Sequence, residues 1–270
     1  MINEQAKREF QKYVEQFDQM DSKIKLKIDH SYRVMEMSKK IAEKIGANVE
    51  LAELIGLLHD IGRFEQLRQY QTYNDKLSFD HGDAGAEILA KDNFISKFCD
   101  EPKYYDLIIT AVKNHNKYGI DEKVTDAETL EQCKIARDAD KIDIMNLMRN
   151  EYTHTGETKN DLLTQKIADD VYIAALACKQ CGRDNVVSHV DEWINMLAFT
   201  FDINFPASLQ IIKEGKYIDD LTNIITKNKT EHARIEKVRE TVNKYIDRKI
   251  TESRLLSLRH QLDVSKNKVM

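Results

Sequence analysis

The stretch VELAELIGLLHDIGRFE, residues 49–65, decides how the chain is read. Leu51, Leu54, Ile55 and Leu58 recur at helical spacing, and Asn48 stands where a helix N-cap is expected. His59 follows Ile55 by four residues, so it continues the apolar stripe, and Asp60 adjoins it. Side chains on such a stripe face the core. An imidazole or carboxylate there is costly unless it is paired or bound to a metal.

Three other segments repeat the pattern. His30 shares a helical stripe with Val34, Met37 and Ile41, and His115 continues that of Tyr105, Ile108 and Val112. Asp140 sits between Ala136 and Ile144 in the same manner. A lone histidine on an apolar face is ordinarily a hydrogen-bonded core residue. Four polar positions on four successive helices, one extended by an adjacent aspartate, outweigh that reading. Imidazole and carboxylate together suit Fe, Mn, Zn or Ni, and the lack of thiolates among them disfavours a structural zinc site.

Composition sets the frame. The 270 residues include 9 glycines and 2 prolines, about 4% together, roughly a third of average usage. Strands need such residues at their turns, so an all-α fold is expected and a β-sandwich is not. The predicted helices cover most of residues 2–18, then 23–45 (closed by Gly46), one beginning after Asn48, 80–91, 104–115, 127–149, 162–180, 186–200, 207–226 and 231–249. THTGETKND, residues 153–161, is the expected boundary between a helical core of 1–152 and a helical extension of 153–270 that could line the site.

No apolar run approaches the roughly 18 residues of a membrane span, and the first ten residues, MINEQAKREF, have no apolar signal region. Four cysteines are too few for a disulfide framework in this length, so a cytoplasmic protein without a membrane partner is expected. The net charge of −5 argues against general nucleic-acid binding. Residues 227–270 carry 12 Lys/Arg and 6 Asp/Glu, which reads as a solvated amphipathic helix, with a dock for a phosphorylated substrate, nucleic acid or a partner subunit as the alternative. Cys178 and Cys181 have C-x-x-C spacing but no second ligand pair and no βαβ context. His154, His189, His232 and His260 stand in polar surroundings and are expected at the surface. Neither a Walker-type loop nor a dinucleotide fingerprint occurs.

The order His30, His59-Asp60 in LLHDIGRFE, then Asp140 in RDADKID resembles the HD-domain superfamily of metal-dependent phosphohydrolases over residues 25–150. The resemblance implies an HD-type helical bundle in which His30, His59, Asp60 and Asp140 bind a metal. It selects Asp140, followed by Lys141 and Ile142, over Asp138, which helix phase alone leaves open. His81 in DHGDAGAEIL and His115 in VKNHN extend the match to the branch that holds two metals bridged by the aspartate of the HD pair. A mononuclear site, with His81 and His115 as substrate donors or helix caps, is the alternative.

In the superfamily's cyclic-di-nucleotide phosphodiesterases, two adjacent histidines and a GYP-containing motif occupy the region of His115. Here Asn114 precedes it, HNKYGID has no GYP, and Leu26 stands where some members carry a third-metal glutamate. Cyclic-di-GMP is therefore disfavoured. Arg63 falls where that branch places a phosphate-contacting lysine, so Arg63 and Lys141 are candidate phosphate ligands beside Asp60, with surface ion pairing as their plain alternative.

The resemblance implies hydrolysis of a nucleotide or other small phosphate ester by a metal-bound hydroxide, with divalent transition-metal ions, two in number, as cofactors. Two other activities fit the same ligand order: a mixed-valent di-iron oxygenase, and a nucleotide-binding sensor without turnover. A homo-oligomer is compatible with all three.

Overall fold

The computed structural model describes residues 4–151 and 161–267. It is all-α, with no strand among the described residues. The chain divides between Asp143 and Ile144, inside a helix, into two compact units. Of the expected boundary stretch 153–161, only Asp161 is among the described residues.

The first unit is built from α1 (Glu4–Val14), α2 (Ser22–Ile45), α3 (Val49–Leu58), α4 (Ile61–Tyr70), α5 (His81–Ala90), α6 (Tyr105–Asn114) and the start of α7 (Ala127–Glu151). Local signals account for the ends. Asp21 accepts from the Lys23 N–H to open α2, and Gly46, at φ 76°, closes it. Asn48 accepts from the Leu51 N–H to open α3, and Asp80 accepts from the Asp83 N–H to open α5. The core gathers Phe10, Tyr13, Phe17 and Phe64 in edge-on and tilted ring contacts with centroids 5.3–6.1 Å apart. Leu57, Leu58, Ile61, Leu67 and Ile108 are buried in the same cluster.

The helix over Ile61–Tyr70 is absent from the sequence reading. It starts one residue after Asp60, so the HD pair lies in the joint between two helices rather than within one. The first helix, Glu4–Val14, occupies most of the stretch 2–18, as expected.

Two glycines show how closely these helices meet. A Cβ on Gly56 of α3 would lie 2.9 Å from the Met35 Cα and the Val34 carbonyl oxygen of α2. A Cβ on Gly62 of α4 would overlap the His81 carbonyl oxygen and come 2.7 Å from the Gly85 nitrogen of α5. Both sites demand the missing side chain because backbone meets backbone there.

The second unit contains α8 (Asp169–Leu176), α9 (His189–Leu197), α10 (Pro206–Glu214), α11 (Tyr217–Ile225) and α12 (His232–Asn267). Trp193 is fully buried and donates its indole N–H to the Leu221 carbonyl at 3.1 Å. Buried Ile235, Val238, Val242 and Ile246 form the inner stripe of α12. Three expected helices are corrected here. The helix over 162–180 is interrupted: 161–164 are helical and helix resumes over Asp169–Leu176, because the buried Asp191 carboxylate accepts from the Ala168 N–H in extended backbone. It ends early because Cys178 turns left-handed at φ 56°. The helix over 207–226 breaks at Gly215 and Lys216, the latter at φ 55°. The last helix runs on to Asn267, since no glycine or proline interrupts it. None of the helices described is long and apolar enough to cross a membrane.

Candidate metal centre

Five elements of the first unit deliver the polar cluster. His30 projects from α2, His59 and Asp60 occupy the α3–α4 joint, and His81 is the first residue of α5. His115 follows the last residue of α6, and Asp140 lies on α7. All are buried except Asp140, whose side chain is 17% exposed.

Each histidine is held by its Nδ1. His59 and His115 donate to carbonyls of their own helices, Gly56 O at 2.7 Å and Val112 O at 2.6 Å. These carbonyls belong to helix C-terminal turns, which lack intrahelical partners. His30 Nδ1 meets Asp143 Oδ2 at 2.7 Å, and His81 Nδ1 meets Asp75 Oδ2 at 2.8 Å. An oxygen that can only accept requires the proton on Nδ1, and this leaves the Nε2 lone pair free for a ligand.

All four Nε2 atoms converge on Asp60, in two pairs. Those of His30 and His59 are 3.2 Å apart, and each lies 3.5 Å from Asp60 Oδ2. Asp140 Oδ1 completes this side at 3.1 Å from His30 Nε2 and 3.7 Å from His59 Nε2. On the other side, the Nε2 atoms of His81 and His115 are 3.1 Å apart and lie 3.4 and 3.5 Å from Asp60 Oδ1. Lone pairs facing each other at this distance repel unless a cation lies between them. A spacing of ~3 Å is what adjacent donors adopt on one ion with bonds of ~2.1 Å. Three ligand groups, His30/His59/Asp60, His59/His115/Asp140 and Asp60/His81/His115, are each compact enough to hold an ion. The donor set therefore fits metal ions, and no cysteine belongs to it.

Neighbouring charges shift the titration of the cluster. Burial opposes ionisation of Asp60, but Lys27 and His59 outweigh it and hold its carboxyl well below the usual range. Burial likewise opposes the Asp140 charge, and hydrogen bonding to His30 with the field of His59 lowers its pKa nonetheless. His115 is pushed down to about 4, chiefly by burial, which keeps its imidazole neutral near pH 7. At His30, burial and Lys27 act downward, yet Asp140 and Asp143 prevail and raise it.

Of the two candidate phosphate ligands, Arg63 stands beside the cluster. Its Nε is 3.6 Å from Asp60 Oδ1, while its Nη1 donates to Gln66 Oε1, the Tyr73 carbonyl and Asp75 Oδ1 at 2.6, 2.6 and 2.8 Å. Lys141 follows Asp140 on α7 and is half-buried. Three participants escaped the sequence reading. Lys27 donates to Asp60 Oδ2 at 2.6 Å, Asp143 joins His30 to Arg33, and Asp75 joins His81 to Arg63. Lys27 and Asp143 lie three residues from His30 and Asp140, the spacing that shares a helix face. Asp75 sits in a polar loop with no such signal. Away from the cluster, His189 pairs with Asp161 at 2.9 Å and His232 is exposed, whereas His154 and the side chain of His260 lie outside the described residues.

Comparison with known proteins agrees with this geometry. The family model described as the HD domain matches residues 28–145, a span holding all six converging side chains. No curated protein and no solved structure matches the chain. Residues 28–145 of this chain thus match the HD domain, and their His/Asp cluster is compatible with an HD metal site.

Proposed function

We propose that the chain is a metal-dependent phosphohydrolase acting on a small phosphate ester, with a nucleotide as the favoured class. One observation carries this reading: two histidine pairs, fixed through Nδ1, face opposite oxygens of one buried carboxylate, Asp60. HD domains are mostly metal-dependent hydrolases, which supports it.

His30, His59, Asp140 and Asp60 Oδ2 would hold one ion, and His81, His115 and Asp60 Oδ1 a second. Bound divalent ions lower the pKa of water and offset the charge of phosphoryl oxygens. The chain's own residues prepare for that chemistry. Asp75 and Asp143 orient His81 and His30 and fix their tautomers, so the Nε2 atoms need not reorganise. Arg63, tied down by Gln66, Asp75 and the Tyr73 carbonyl, sets a fixed positive charge beside Asp60. His59, Asp60 and His115 are buried, so water reaches the cluster only past partly exposed side chains such as Asp140 and Lys27.

The test is metal analysis of protein purified without chelator, followed by a screen of nucleotides and phosphomonoesters with each metal found. Metal-dependent phosphate release that vanishes in Asp60→Ala and His59→Ala is the expected outcome. A fully loaded protein that is inert across the panel would overturn the assignment. An Fe(II)/Fe(III) paramagnetic signal with substrate-dependent O₂ uptake would replace it with oxygenase chemistry.

A further inference from the structure

Two cationic side chains flank Asp60, and they are held very differently. Arg63 is anchored, since one of its nitrogens serves three acceptors while the guanidinium rests 5.7 Å from the Tyr73 ring centroid. Among the described residues Lys27 has a single hydrogen-bond partner, the Asp60 carboxylate, at 2.6 Å. Its ammonium lies 5.3 Å from the same ring, and its side chain is 15% exposed, so it sits where the cluster meets solvent. Tyr73 is itself fixed, donating its hydroxyl to the Lys23 carbonyl at 2.6 Å.

The atom that Lys27 grips is Asp60 Oδ2, which also faces His30 and His59. One oxygen is thus claimed by an ammonium and by a metal pocket, and two cations brought to it repel each other. A lysine is a point charge on a flexible four-carbon stem and can move off, whereas a forked guanidinium held at several acceptors cannot.

We propose that Lys27 is the mobile cation of this centre. It neutralises Asp60 while the pocket is empty, and it turns its ammonium to the phosphate group of the substrate once an ion has taken Oδ2. The inference rests on the reading of the cluster as the metal centre of a phosphohydrolase. It makes Lys27 a substrate-binding residue, with Arg63 as a positioning residue for Asp60 and Asp75.

Two roles for one side chain predict opposite effects when it is neutralised. Calorimetric titration of Mn²⁺ into wild type, Lys27→Met and Lys27→Gln, followed by inorganic phosphate into each Mn²⁺-loaded protein, separates them. Both variants bind Mn²⁺ about tenfold more tightly than wild type, because the competing cation is gone, and bind phosphate about tenfold more weakly. Lys27→Arg restores most of the phosphate affinity. Unchanged phosphate affinity in both neutral variants overturns the proposal, as does weaker Mn²⁺ binding, which would make Lys27 a structural support for Asp60. Wild-type protein that takes up no Mn²⁺ or other divalent transition metal overturns the metal-centre reading itself. That failure is visible before any variant is made.

Discussion

His30 and His81 rest on carboxylates, whereas His59 and His115 rest on backbone carbonyls. The difference matters because a carboxylate can be removed by substitution and a carbonyl cannot. Asp143 serves the half-site of His30, His59 and Asp140, and Asp75 serves that of His81 and His115. Asp143→Ala should therefore weaken one ion and Asp75→Ala the other, each by ~10–100-fold. Titration with Mn²⁺ should show two unequal sites in each variant, and equal weakening of both sites in both variants would refute the division. The six converging residues were legible in the sequence because each breaks an apolar pattern or completes a motif. Lys27 and Asp143 lie on the same helix faces, but in a chain that is 32% charged another lysine or aspartate attracts no notice. Asp75 acquires its role only through the fold, which returns the loop before α5 to His81.

At the scale of elements, the α4–α5 contact ties the HD pair to His81. Gly62 opposes α5 backbone, while Gly85 opposes side-chain methyls, Val112 Cγ1 at 3.0 Å and Ile61 Cγ2 at 3.3 Å. Methyl groups can shift and a helix backbone cannot, so Gly62→Ala should cost at least ~1–3 kcal/mol and Gly85→Ala less. Urea unfolding measures both, and the reverse ranking would show that the helices separate easily. Gly62→Ala should also weaken metal binding, because the backbone it displaces carries His81. Element existence was readable where stripes run long, as in α2 and α7. It failed over Ile61–Tyr70, where Arg63, Gln66 and Arg68 interrupt the apolar spacing although Phe64 and Leu67 are buried. It failed again at Gly215, whose break is set by a single glycine and the left-handed Lys216 after it.

Across the whole molecule, the cluster draws on residues from His30 to Asp140, so an ion would tie together helices that are distant in sequence. A ligand at a hundred times its Kd stabilises the folded state by ~2.7 kcal/mol. For a domain of this size that is a rise in Tm of ~5–10 °C. Scanning calorimetry with and without Mn²⁺ should show it, chelation should reverse it, and Asp60→Ala should abolish it. A full shift in Asp60→Ala would place the ions elsewhere. The C-terminal unit yields no such prediction, since among its described residues no group of histidine, cysteine and carboxylate side chains is compact enough to hold an ion.

The ends of α3 and α6, already noted for seating His59 and His115, have an electrical consequence. Both present the negative pole of a helix dipole to the cluster, while α4 and α5 begin there and present positive poles, so the side chains set the net sign. There the carboxylates of Asp60, Asp75, Asp140 and Asp143 outnumber the cations of Lys27, Arg33 and Arg63. That excess disfavours phosphate in the empty pocket, and divalent charge would reverse it. On the phosphohydrolase reading, loading would therefore be ordered, ion before anion, and the same field would make a phosphate product leave ahead of the ions.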